Sequence, residues 1–72
     1  MSFQAYIDNV ETKTGKSAEQ LKSIAIGKGL ANEDGLAPGV KPGAMIDWLK
    51  SDFDLGHGHA MSIVAYIKGK RS

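Results

Sequence analysis

The chain has 72 residues, 42% hydrophobic and 24% charged, with a net charge of +1 and no cysteine. That composition describes one small globular domain rather than a disordered segment. The missing thiols exclude a disulfide framework, a thiolate zinc site and a cysteine nucleophile. The near-zero charge argues against a dedicated phosphate-backbone binder. No apolar run is long enough to span a bilayer, and the amino terminus lacks the basic-then-apolar order of a signal peptide, so a soluble cytoplasmic domain without membrane partners is expected.

Ser2 is placed to cap a first helix in which Phe3, Tyr6, Ile7 and Val10 recur at helical spacing, and Gly15 supplies a left-handed stop. Ser17 with Gln20 three residues on predicts a capping box at the start of a second helix. Its inward stripe is Leu21, Ile24 and Ala25, widened by Ile26, and Gly29 followed by Leu30 predicts a Schellman stop with an apolar clasp. Residues 31–40 carry two glycines, a proline, Asn32, Glu33 and Asp34 and read as a surface loop. Pro42 suits the first turn of a third helix, striped by Met45, Ile46, Leu49 and Phe53 with Trp48 beside it.

Leu55-Gly56-His57-Gly58-His59-Ala60 then reads as a tight inter-helix turn in which the glycines supply positive φ. A fourth helix is expected from about His59, with Ala60, Ile63, Val64 and Ile67 inward, Met61 and Tyr66 flanking, and Gly69 at its end. Helices this short are unstable alone, so their stripes must meet in one core, each buried apolar side chain contributing roughly 1.5–3 kcal/mol. The expected architecture is all-α, a single bundle of four short helices spanning residues 1–72, with the last two forming a helix-turn-helix-like pair.

Charge is unevenly placed. Asp47, Asp52 and Asp54 gather before the Gly-His turn, no acid follows Asp54, and the tail supplies Lys68, Lys70 and Arg71. Lys13, Lys16, Lys22 and Lys28 make a second basic zone. Solvated helix faces are the ordinary meaning of such zones.

Three stretches carry a family resemblance. Met1-Ser2-Phe3-Gln4-Ala5-Tyr6-Ile7-Asp8-Asn9 is followed by Lys13-Thr14-Gly15-Lys16, and Trp48-Leu49-Lys50 leads to Leu55-Gly56-His57-Gly58-His59-Ala60-Met61. Over nearly its whole length the chain resembles the small bacterial proteins and domains of the domain of unknown function family DUF4287. The resemblance implies a short, mainly helical domain with no assigned activity, and it carries over no catalytic or binding residues. Two departures stand out: Asp54 replaces the glycine expected before Leu55, and the loop of residues 31–38 is longer than usual.

The Gly-His turn suggests four chemistries. His57 and His59 with Asp52 and Asp54 nearby suggest a zinc site, but His-x-His converges mainly on a strand, and neither a thiol nor a third histidine completes the set. Imidazole beside carboxylate suits proton transfer, but no activated nucleophile is recognisable and so small a bundle hardly encloses a cleft. The expectation is therefore no metal, no cofactor and no enzymatic activity.

The Gly-x-Gly helix start and the basic tail suit sequence-neutral phosphate binding of helix-turn-helix or helix-hairpin-helix type, opposed by Asp52 and Asp54. A protein-interaction or adaptor module, with Trp48 as a half-exposed anchor beside the turn, fits best. Its candidate surface is Trp48, Gly56, His57, Gly58, His59, Lys68, Lys70 and Arg71, its expected partner another protein, with nucleic acid the alternative and a homodimer open. Salt separates the two readings, since phosphate binding weakens steeply with ionic strength.

Overall fold

The structure is a computed structural model that describes residues 2–70. Helix α1 runs Phe3–Thr14, α2 Ala18–Gly27, α3 Pro42–Phe53 and α4 His57–Ile67, with two short strands, β1 Ala31–Asn32 and β2 Gly35–Leu36, between α2 and α3. The bundle is mainly α. None of the helices among the described residues is long and apolar enough to cross a membrane.

Local side-chain chemistry sets most of the boundaries. The Ser2 hydroxyl accepts from the Ala5 N–H, satisfying one orphan donor of α1, and Gly15 closes that helix at φ 73° with its N–H on the Glu11 carbonyl. At α2 the capping box is complete: Gln20 N–H donates to Ser17 Oγ at 3.1 Å, and Ser17 N–H to Gln20 Oε1 at 2.8 Å. The far end of α2 is a Schellman motif. Gly29 N–H donates to Ile26 O and Leu30 N–H to Ala25 O, with Gly29 at φ +78°, where a Cβ is disfavoured. The same pair of bonds closes α4, from Gly69 to Tyr66 and from Lys70 to Ala65. Pro42 opens α3 behind Lys41, which makes no side-chain cap.

The segment read as a surface loop holds more structure than expected. Its first six residues form an antiparallel hairpin pairing Ala31 with Leu36 and Asn32 with Gly35, turned by an Asx bond in which Asp34 N–H donates to Asn32 Oδ1. Ala31 and Gly35 are buried, and Gly35 lies against the backbone of Lys68 at the end of α4. A hairpin of two-residue strands is too short for alternation to announce it, and burial against α4 is what holds it.

Helix α4 is the hub. It packs on α3, α1 and α2, and its Ala60, Ile63, Val64 and Ile67 join Ile7 and Val10 of α1, Leu21 and Ala25 of α2, Met45 and Leu49 of α3, and Leu55 of the α3–α4 connection in one core. Tyr66 extends the α4–α2 contact by donating its hydroxyl proton to Glu19 Oε2. The expected stripes are right at their centres and too wide at their margins. Phe3, Tyr6, Ile46 and Phe53 are only partly buried, and Ile26 is 40% exposed because Leu21 and Ala25 already fill the inward face of α2. Ser62 is a buried polar residue, its hydroxyl donating to the His59 carbonyl at 2.6 Å.

This distribution separates two isoleucines. Ile63→Ala, at a fully buried site, should cost about 2–5 kcal/mol, comparable with the whole stability of so small a domain. Ile26→Ala should cost less than about 1 kcal/mol. Urea unfolding followed by circular dichroism reads both, and equal losses would contradict the packing.

Candidate functional site

The connection between α3 and α4 is shorter than the sequence suggested. Only residues 54–56 lie outside the helices, and His57, Gly58 and His59 form the first turn of α4. The glycines do not supply the bend: Gly56 is the N-cap at φ −70°, Gly58 is helical, and the left-handed residue is Asp54, at φ 54° and ψ 36°. The chain reverses on the one non-glycine residue among those described with positive φ, at the position where the family resemblance led one to expect glycine. Aspartate tolerates that region better than most side chains, though not without cost. Leu55 is buried and pins the connection to the core.

The two imidazoles do not act as a pair. Two residues apart on a helix, His57 and His59 point roughly 160° apart around α4. His57 is exposed, whereas His59 is half-buried with its ring edge-on to Tyr6 of α1, centroids 5.2 Å apart. Among the described residues no group of three His, Cys, Asp or Glu side chains is placed to hold a metal ion.

Trp48 packs on Phe53, the last residue of α3 before the turn. It stands roughly 160° around α3 from Ile46, half-buried and edge-on to Phe53, with its Nε1 buried and without a hydrogen-bond partner. The indole serves the core through its area rather than through its donor. Lys68 and Lys70 are exposed at the opposite end of α4 from Gly56 and His57, roughly 16 Å away along an eleven-residue helix. Arg71 lies outside the described residues.

What joins part of this set is the outer face of α4. Gly58, Met61, Ala65 and Lys68 follow one another along it, on the side away from Ala60, Ile63 and Ile67. Met61 is half exposed, at 50%, and forms a ridge between two shallow grooves. The groove of about 370 Å³ toward α1 is lined by Phe3, Tyr6, Gly58, Met61, Ser62, Ala65 and Lys70. The second, about 200 Å³ toward α3, is lined by Pro42, Ile46, Met61, Val64, Ala65 and Lys68. Lys70 reaches back over the Phe3 ring, its Nζ 5.4 Å from the centroid.

Among the described residues no carboxylate lines either groove. The contrast is with a hollow of about 230 Å³ between α1 and α2, rimmed by Asp8, Glu11 and Glu19. Sequence reading placed Met61 at the flank of the core and missed Phe3, Tyr6, Pro42 and Ile46 as surface residues. The available signal was the absence of any acid, lysine or arginine from Leu55 to Ile67, a helix apolar on more than one face.

Residues 2–69 match the model of the family described as Domain of unknown function (DUF4287), and the chain belongs to that family. Comparisons with curated proteins and with solved structures gave no match.

The turn geometry reverses the usual expectation for a glycine-rich connection. A Cβ on Gly58 would sit 3.6 Å from Tyr6 Cε1, an ordinary contact, so Gly58→Ala should stabilise the domain by about 0.5 kcal/mol and raise Tm by about 2–4 °C. Asp54→Gly should also raise Tm, whereas Asp54→Val should lower stability by about 1 kcal/mol or more. Thermal melts of the three variants decide it. A loss in Gly58→Ala as large as that in Asp54→Val would put the strained residue in the wrong place.

The histidines should divide in the same experiment. His59→Gln removes the Tyr6 contact and should cost about 0.5–1.5 kcal/mol. His57→Gln should stay within about 0.5 kcal/mol of the parent.

Proposed function

We propose that this member of the DUF4287 family is a non-catalytic protein-interaction module whose docking face is the outer face of α4. The observation that carries this reading is Met61, half exposed on a ridge between two grooves that hold apolar side chains and no carboxylate. A flexible, polarizable methionine beside aromatic and small residues adapts to the side chains of a partner. The surface extends along α4 from the Gly-His corner: Gly58, Lys68 and Lys70 line it, His57 stands exposed one turn before Met61 at its N-terminal edge, and Trp48 lines neither groove.

Phosphate binding at the start of α4 is weaker as a reading. Asp52 and Asp54 are exposed at the same end of α4 as Gly56 and outnumber Lys50 there, while Lys68 and Lys70 stand at the other end, so the described residues put little net positive charge at the helix N-terminus.

A photo-crosslinking amino acid in place of Met61 tests the proposal directly in cells that express the protein, with the same group at Glu33, on the exposed hairpin tip, as control. The expected result is a discrete covalent adduct from position 61 and none from position 33. Adducts from neither position, or the same smear from both, would overturn the docking face.

A further inference from the structure

We infer that His57 and Met61 form a chelating site for a soft monovalent metal ion, copper(I) being the biological ion of that class. The inference stands apart from the docking face and needs no protein partner. Its ground is the placement of two donors. His57 is the exposed one of the chain's two imidazoles, since His59 is half-buried against Tyr6. Of the described methionines, Met45 is fully buried and Met61 is 50% exposed. The two surface donors stand four residues apart in α4, one turn apart on the same face. Among the described residues no hydrogen bond or ring contact engages the His57 imidazole.

Side chains four residues apart on a helix can close on one ion, as paired histidines do on zinc. Long helical side chains lean toward the N-terminus, which carries the Met61 sulfur back toward the turn of His57. Three rotatable bonds let the thioether adjust to the ion.

Donor chemistry selects the metal. Zinc takes thiolate, imidazole and carboxylate, and a thioether is not among its ligands. Thioether with imidazole suits copper(I), which accepts low coordination numbers and so needs no third side chain. Helix polarity favours the same choice, because the positive end of the α4 dipole opposes a divalent ion more strongly than a monovalent one. The chain has no cysteine, so no thiolate competes for the ion. Two neutral donors at the surface make a labile site that loads and unloads, unlike a closed structural one.

Silver(I), added as the nitrate in chloride-free buffer, shares the ligand preference of copper(I) without its redox chemistry. Titrated into the full chain, it should shift the Met61 methyl and His57 ring resonances together, saturating near equimolar silver. Met45 and His59 should stay in place, and zinc(II) should leave the Met61 methyl unmoved. His57→Gln and Met61→Leu should each weaken binding by about a hundredfold, the loss expected when a chelate is reduced to one donor. Thermal melts show that the variants fold. Met61→Leu/Ala65→Met moves the thioether to about 12 Å along the axis from His57 and should bind no better than Met61→Leu.

A Met61 methyl that excess silver leaves unmoved overturns the inference. So does a methyl that shifts without the His57 ring, or as readily in His57→Gln, for then a lone thioether is the ligand. A double variant that binds as tightly as the parent overturns the one-turn chelate. Copper(I), kept reduced by ascorbate in the absence of oxygen, should reproduce the silver shifts, and failure to do so overturns the assignment of the metal.

Discussion

Ile63 and Ile67 of α4 sit in one cluster with Val10 of α1, Leu21 of α2 and Leu49 of α3, and the rest of the structure depends on that meeting. Each of the other helices is amphipathic and ten to twelve residues long, too short to hold its shape in water without a surface to bury against. Helix α4 supplies that surface to all three, and its C-terminal end receives the hairpin through Gly35. A helix asked to face α1, α2 and α3 must be apolar over most of its circumference. That demand accounts for the uncharged run from Leu55 to Ile67 and leaves one side of α4 without a neighbour.

The caps were legible in the sequence because each is a local matter. Ser2, the Ser17–Gln20 pair, the Gly29–Leu30 stop and Pro42 act within four or five residues of themselves, and the structure bears each of them out. The Gly-His segment was misread for an equally definite reason. Glycine is the residue that most freely takes positive φ, so the bend was assigned to Gly56 and Gly58. The chain instead places Asp54 in the left-handed region and uses Gly56 as an extended N-cap. Moving the bend two residues earlier draws both histidines into the helix, where a spacing of two sends them to different sides. The apparent pair dissolves into one ring on Tyr6 and one in solvent.

The proposed docking face is less legible, since periodicity reports that residues share a side of a helix and not what covers that side. Met61, Ala65 and Gly58 fall on one strip whether or not α1 or α3 closes over it. Only the placement of Phe3 and Tyr6 on one flank and of Pro42 and Ile46 on the other turns the strip into a ridge between grooves. Trp48 lines neither groove and instead packs edge-on to Phe53. Those are tertiary facts, set by how four helices meet.

Because the hub and the proposed docking face are the same helix, binding and stability are linked here. A partner seated on Met61 touches α4 opposite Ile63 and reaches Phe3 of α1 and Ile46 of α3, so it spans the two seams by which α4 holds its neighbours. It binds the assembled bundle and has nothing comparable to bind in the unfolded chain. Its binding free energy therefore adds to the stability of the fold by mass action. In a domain near the lower size limit for independent folding, a gain of one or two kcal/mol is a large fraction of the total. Leaving one side of α4 apolar weakens the isolated domain only slightly, since a single exposed methionine is common on protein surfaces, and it lets association reinforce the one helix on which the other three depend.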